Sequence, residues 1–222
     1  MTIKAVVFDF DDCLIRNFEF AAQELVEAAN VWNETNQPKL GIPGVDVIAS
    51  HYYGSWGEWV TSVWPELDGH VEDFLSLCVA VPYKTRPAMP GAAEMISELK
   101  SKGVVVGILM NREGESLGRR LKESGLGGLD FVHSTADRGL RKPNPMAFDS
   151  VIAELSAMGI RPAETLYVGD QLDDMSSEKA GIRFVAVCSG VVSKGKFLES
   201  GVKEENIIPS VDYLPKYLKL AD

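Results

Sequence analysis

Cysteine is scarce in this chain of 222 residues. There are three, Cys13, Cys78 and Cys188, an odd number at spacings that suit neither a zinc site nor a disulfide framework. They read as reduced thiols, and the cytoplasm is the compartment expected. No apolar run approaches the roughly 20 residues that span a bilayer, and no basic-then-apolar leader opens the sequence, so no membrane partner is expected. Positive charge is short too: 22 Lys and Arg stand against 32 Asp and Glu, a net charge of −10. That balance argues against nucleic acid or an anionic membrane as a partner. It also means that an anionic substrate must be drawn by a local cation or basic residue. Internal repeats and low-complexity segments are absent. What is there is ordinary for a globular protein, 45% hydrophobic and 24% charged, in a chain long enough to bury a substantial core. A monomer or homodimer is expected.

Apolar runs recur along most of the sequence, at Ile3–Phe8, Val104–Met110, Leu129–His133, Thr165–Val168 and Arg183–Cys188. Helical patterns separate them. Gly91–Lys102 carries Ala92, Met95, Ile96 and Leu99 on one face, between Pro90 and Gly103. Glu115–Ser124, Pro145–Met158 and a short stretch ending at Ala180 follow suit. Alternating strands and helices with short connections predict βαβ units and a doubly wound, Rossmann-like parallel sheet in an α/β fold. The stretch 16–87 breaks the rhythm. Phe18, Ala21, Ala22, Leu25, Ala29 and Trp32 form a stripe at helical spacing, and Val45–Tyr53, Trp56–Trp64 and Val71–Val81 are further helical patterns. A helical cap at 16–87, inserted into a core of 1–15 and 88–222, is therefore predicted.

Ligands of open parallel sheets bind beyond the carboxyl ends of the strands, and the residues there carry the functional signal. Asp9, Asp11 and Asp12 follow the first strand, and Met110, Asn111 and Arg112 follow the second run. Arg141-Lys142-Pro143 lies in a loop after the third, and Gly169-Asp170 with Asp173 and Asp174 follows the fourth. Two acids one residue apart share a face if the strand continues. Carboxylates forced together resist joint ionisation unless a cation joins them or one keeps a proton. Each signal alone is weak: Lys-Pro suits a solvated turn, and Gly-Asp suits a helix cap. Their order and location together are specific.

Asp9-Phe10-Asp11-Asp12-Cys13-Leu14, Arg141-Lys142-Pro143-Asn144-Pro145 and Val168-Gly169-Asp170-Gln171-Leu172-Asp173-Asp174 resemble the first, third and fourth motifs of the haloacid dehalogenase-like (HAD) hydrolases. The helical insert resembles that superfamily's α-helical cap of the first type. The resemblance covers nearly the whole chain and implies a phosphatase acting on a small phosphorylated metabolite. Asp9 would be the nucleophile, Asp11 the general acid and base, and Lys142 the catalytic cation on the phosphoryl oxygens. Mg²⁺ would be held by Asp9, by Asp170 and by the backbone carbonyl of Asp11. Asp173 or Asp174 would anchor Lys142 or metal waters, and spacing leaves both open. One position departs from the pattern. Met110 stands where the family has Ser or Thr to bind the phosphoryl group, and a thioether donates no hydrogen bond. Asn111 follows, with a carboxamide and a backbone N–H to offer phosphate.

Four alternatives follow. A catalytically weakened protein that binds a phosphorylated ligand in a regulatory role would explain Met110. Dehalogenases of the superfamily lack the second acid of the first motif and the metal, whereas Asp11 is present here. A Schiff base on Lys39 or Lys84 is disfavoured by their Pro-flanked segments, and a receiver domain by the length and the insert. His51, Tyr52, Tyr53, Trp56, Trp59 and Trp64 are read mainly as the core of the insert, with one or two free to line a pocket. Arg16, Asn17, Arg86 and Arg112 are further candidates for a phosphate or carboxylate. His133 is expected to close a strand, and Cys13 to pack.

Overall fold

The computed structural model describes residues 2–52, 55–111, 114–135 and 139–219. Six strands form one parallel sheet in the order β3-β2-β1-β4-β5-β6. They are β1 (Ala5–Phe8), β2 (Val105–Met110), β3 (Phe131–Ser134), β4 (Thr165–Gly169), β5 (Arg183–Val187) and β6 (Ile207–Ile208). β1 is central, with Ala5 paired to Val105 on one side and Thr165 on the other. Its four residues are all buried, because a parallel sheet is covered on both faces. Alternation splits them: Val6 and Phe8 join the apolar cluster under α5 (Ala92–Ser101), and Ala5 and Val7 join the one under α7 (Asp149–Ala157). This is the expected Rossmann-like α/β architecture.

The chain divides into two compact units, residues 1–16 with 86–222, and residues 17–85. The second holds α1 (Phe18–Thr35), α2 (Val45–Ser50), α3 (Trp56–Val63) and α4 (Val71–Ala80). Ser55 caps α3 by accepting from Glu58 N while the Glu58 carboxylate accepts from Ser55 N, a reciprocal capping box. Three buried tryptophans, Trp32, Trp59 and Trp64, join Phe74 and Leu25 in its core. Each indole N–H reaches a carbonyl of the same unit, Pro38, Ile48 and Gly41 respectively. Buried aromatics of this size contribute about 4–6 kcal/mol each by area, an upper figure. The aromatic-rich stretch is thus largely internal core, with Tyr52 edge-on to Trp59; Tyr53 lies outside the described residues. Where the insert leaves the first unit, Met89 N donates to Leu14 O at 2.8 Å and Arg16 N to Pro87 O at 2.9 Å. Ile15 and Ala88 form an antiparallel bridge between them.

Several boundaries differ from the sequence reading. The expected helix Pro145–Met158 begins as a 3₁₀ turn, Pro145–Phe148, and becomes α7 only at Asp149. Asn144 caps that turn by accepting from Met146 N, and the proline ring leaves a donor fewer to satisfy. β6, α9 (Lys194–Glu199) and α10 (Leu214–Leu218) had no sequence signal; β6 is only two residues long. α6 (Gly114–Ser124) and α8 (Ser176–Lys179) complete the first unit. No helix among the described residues is long and apolar enough to cross a membrane.

Candidate active site at the carboxyl edge of the sheet

Asp9 continues β1 by one more rung, its N–H donating to Val168 O at 2.8 Å. The chain then turns, with Asp12 in the left-handed region at φ +59°, and Ser189 Oγ donating to Asp12 O holds the turn against the loop after β5. The strand ends here, and the Asp11 side chain stands outside the group of clustered carboxylates. Its carboxylate meets the buried Arg120 of α6, Nη1 to Oδ1 at 2.7 Å. Arg120 gave no sequence signal, since a charge on a polar helix reads as solvated.

Lys142 is 4% exposed and reaches the edge of β1 from its loop. Its Nζ donates to Asp9 Oδ1 at 2.7 Å, Asp174 Oδ1 at 2.6 Å and Tyr167 Oη at 2.7 Å. The backbone behind it is fastened by Asn111, whose Oδ1 accepts from Lys142 N and from Thr135 Oγ1 while Nδ2 donates to Lys142 O. The carboxamide seen from the sequence as a phosphate ligand is therefore engaged with the backbone of Lys142. Met110 is 1% exposed and belongs to the apolar cluster with Phe8, Phe10 and Val168, so packing accounts for its side chain.

Local geometry separates Asp173 from Asp174. A 3₁₀ turn at Leu172–Met175 directs Asp174 inward, where Oδ2 accepts from Gln171 N and Oδ1 from Lys142. Asp173 is exposed. Close approach also requires two glycines. A Cβ on Gly169 would collide with the Asp174 carboxylate, and one on Gly190 with that of Asp170.

The electrostatics follow from burial. Asp9 is pushed up to about 7, chiefly by loss of water; Lys142 opposes the rise and Asp174 and Asp11 add to it. Asp170 is fully buried and raised well above the usual carboxylate range by burial, then by Asp9, Asp12 and Asp174. Burial works against the Lys142 charge too, but Asp174 and Asp9 outweigh it and hold its pKa well above the ordinary lysine value. Carboxylate oxygens of Asp9, Asp170 and Asp174 lie within 4.8 Å of one another. Asp170 Oδ1 is buried without a hydrogen-bond partner among the described residues. An oxygen-only donor set with one unsatisfied carboxylate oxygen fits a hard divalent cation such as Mg²⁺. The side chain of Asp11 is not in this group.

Lys39 donates to Asn33 O, and Lys84 pairs with Glu27, which places both in the fabric of the insert. His133 lies 3.5 Å from Glu154 at the end of β3. Cys13 is buried, its Sγ 3.5 Å from Val168 O. Asn17 and Arg86 are buried and Arg16 partly so; Arg112 lies outside the described residues.

The central strand ends in a buried aspartate flanked by a lysine loop and a second acidic loop, and comparison with known proteins gives the family. Residues 3–181 match the family model for haloacid dehalogenase-like hydrolases, and the chain belongs to that family. It is 36% identical over 94 residues to (S)-2-haloacid dehalogenase 4A of Burkholderia cepacia, a stretch covering 42% of this chain and 39% of that protein. It is 26% identical over 203 residues to a phosphoglycolate phosphatase of Synechococcus elongatus, 85% of each. A HAD family hydrolase from Deinococcus radiodurans, solved with bound phosphate and sodium, shares the fold with a TM-score of 0.78 at 20% identity. That match covers 98% of this chain and 96% of the other.

Proposed function

We propose that the protein is a Mg²⁺-dependent phosphatase that hydrolyses a small phosphomonoester through an aspartyl-phosphate on Asp9. The observation that carries this reading is the convergence of Asp9, Asp170 and Asp174 beside Lys142. Relatives include both dehalogenases and phosphatases, and this acidic cluster favours the second. Three carboxylates so close ionise together most readily with a metal cation beside Lys142, which displacing halide from a carbon does not use. The phosphate in the Deinococcus radiodurans structure is consistent with the same choice.

Asp9 attacks phosphorus, forming an O–P bond as the ester O–P bond breaks. Asp11 gives its proton to the leaving oxygen, then takes one from the water that cleaves the aspartyl-phosphate. Lys142 faces the phosphoryl oxygens and offsets their charge, while Asp174 and Asn111 keep it in place. Mg²⁺, held by Asp9, Asp170 and the Asp11 carbonyl, would supply positive charge for the transferring group. The charge balance and thiols are in keeping with a cytoplasmic monomer or homodimer acting on a small phosphorylated metabolite, without nucleic-acid or membrane partners. A second reading draws on the burial of Met110: a protein that retains the phosphate site but turns over slowly or not at all, in a regulatory role.

Phosphate release from para-nitrophenyl phosphate tests both. Release is expected with Mg²⁺, and none from Asp9→Asn with an unchanged circular-dichroism spectrum. Activity that survives both EDTA and Asp9→Asn overturns the assignment. Phosphate binding without turnover in the native protein selects the second reading.

A further inference from the structure

An ammonium has three N–H donors and no acceptor. Those of Lys142 have three partners, and two of them, Asp9 and Asp174, are carboxylates of the cluster. The third is Tyr167 Oη, a neutral oxygen on β4 that no motif accounts for. Its own hydrogen is committed, donated to Leu109 O at 2.8 Å, which fixes the rotor and turns the oxygen lone pairs toward Nζ. The ring is just as constrained. It is fully buried, Phe148 packs edge-on with centroids 4.9 Å apart at 87°, and β4 is paired to β1 and β5. Lys142 is a flexible four-carbon chain, whereas Tyr167 belongs to the sheet.

We propose that Tyr167 is a positioning residue that fixes the Lys142 ammonium beside Asp9 for phosphoryl transfer. Its kinetic consequence rests on the phosphatase reading. When an Asp9 oxygen becomes bonded to phosphorus, its negative charge leaves with the ester oxygen, and its pull on Nζ weakens. Asp174, which accepts from another of the Nζ donors, keeps its full attraction and would draw the ammonium away. A neutral acceptor with a fixed direction opposes that drift without adding a competing charge. A third carboxylate in its place would strengthen the drift, and a water would move with it.

Tyr167→Phe tests this by removing one oxygen while keeping the ring and its contact with Phe148. With para-nitrophenyl phosphate, kcat is expected to fall roughly 10–100-fold, the loss typical of a hydrogen bond to a charged group. KM should change by less than about threefold, because an interaction made mainly in the transition state acts on kcat. Inhibition by orthovanadate should weaken in step with kcat/KM, and inhibition by inorganic phosphate should not. A readout independent of turnover is the ¹⁵N signal of Lys142 Nζ, assigned by its loss in Lys142→Met. Its protons should exchange slowly with water in the native protein and much faster in Tyr167→Phe. Unchanged kcat with unchanged Nζ exchange overturns the proposal. Equal losses of phosphate and vanadate binding with a lowered Tm also overturn it, showing packing alone. A native protein without turnover defeats the phosphatase reading, and Nζ exchange still decides whether Tyr167 holds Lys142.

Discussion

Lys142 neutralises carboxylates that burial would otherwise leave costly to ionise, and it was legible in the sequence as Lys-Pro in a loop beyond a strand. Asp9, Asp11 and Asp170 were legible for the same reason: acids directly after apolar runs. Tyr167 was not, because a tyrosine within Thr-Leu-Tyr-Val reads as an ordinary strand residue and its hydroxyl partners come from distant segments. Removing the ammonium should show what it offsets. Lys142→Ala is expected to lose most phosphate release and to cost about 3–5 kcal/mol in urea unfolding, the range for stranding buried charges. Native rates in the folded variant would refute the role. Met110 offers the converse change. Met110→Thr should raise kcat, by up to ~10²-fold if the hydroxyl reaches the phosphoryl oxygens, while losing about 1–3 kcal/mol of stability from its apolar packing. Steady-state kinetics and thermal melts of one sample separate the two effects.

At the scale of elements, the site depends on how two short segments are tied down. The Lys142 loop is held by the Asn111 carboxamide through both its N–H and its carbonyl. The 3₁₀ turn at Leu172–Met175 rotates Asp174 in and Asp173 out. Strand positions were readable from period and burial, but a 3₁₀ turn differs from an α-helical start by a fraction of a residue per turn, which is why spacing left both acids open. β6 escaped because Ile207–Ile208 has no periodicity to detect. Asn111→Ala should lower kcat about tenfold by releasing the loop, since it removes both hydrogen bonds to the Lys142 backbone and the one from Thr135. Since its role is mechanical, the loss should be similar in the Met110→Thr background. A double-mutant cycle near zero checks this, and strong coupling would mean that Asn111 substitutes for the missing donor.

The whole molecule feels the acidic cluster through its stability. Asp9, at about 7 when folded, and Asp170, raised well above its usual range, bind protons in the native state that the unfolded chain releases near pH 4. Where the native state holds more protons, stability falls as pH rises. Metal-free protein should therefore melt higher at pH 5.5 than at pH 8, by a few degrees at the ~2–4 °C per kcal/mol expected for this size. Mg²⁺ bound to the ionised carboxylates should raise Tm at pH 8 and flatten that dependence. Differential scanning calorimetry with EDTA or Mg²⁺ measures both, and a metal-free melt that rises toward pH 8 contradicts the assignment.

The paired backbones at Leu14–Arg16 and Pro87–Met89 bear on the order in which the chain folds. β1 must find β2 and β4 across a long stretch of sequence, and contacts so distant make folding slow. If residues 17–85 condense first around Trp32, Trp59 and Trp64, their ends meet at the neck and the insert stops counting as slack. The effective loop between β1 and β2 shrinks from about a hundred residues to about thirty, which lowers the entropic barrier by roughly 1 kcal/mol at (3/2)RT ln n. Trp59→Ala, in the core of the insert, should then slow protection of the β1 amides about fivefold in pulse-labelled hydrogen exchange during refolding. An unchanged rate would mean that the sheet assembles with the insert still open.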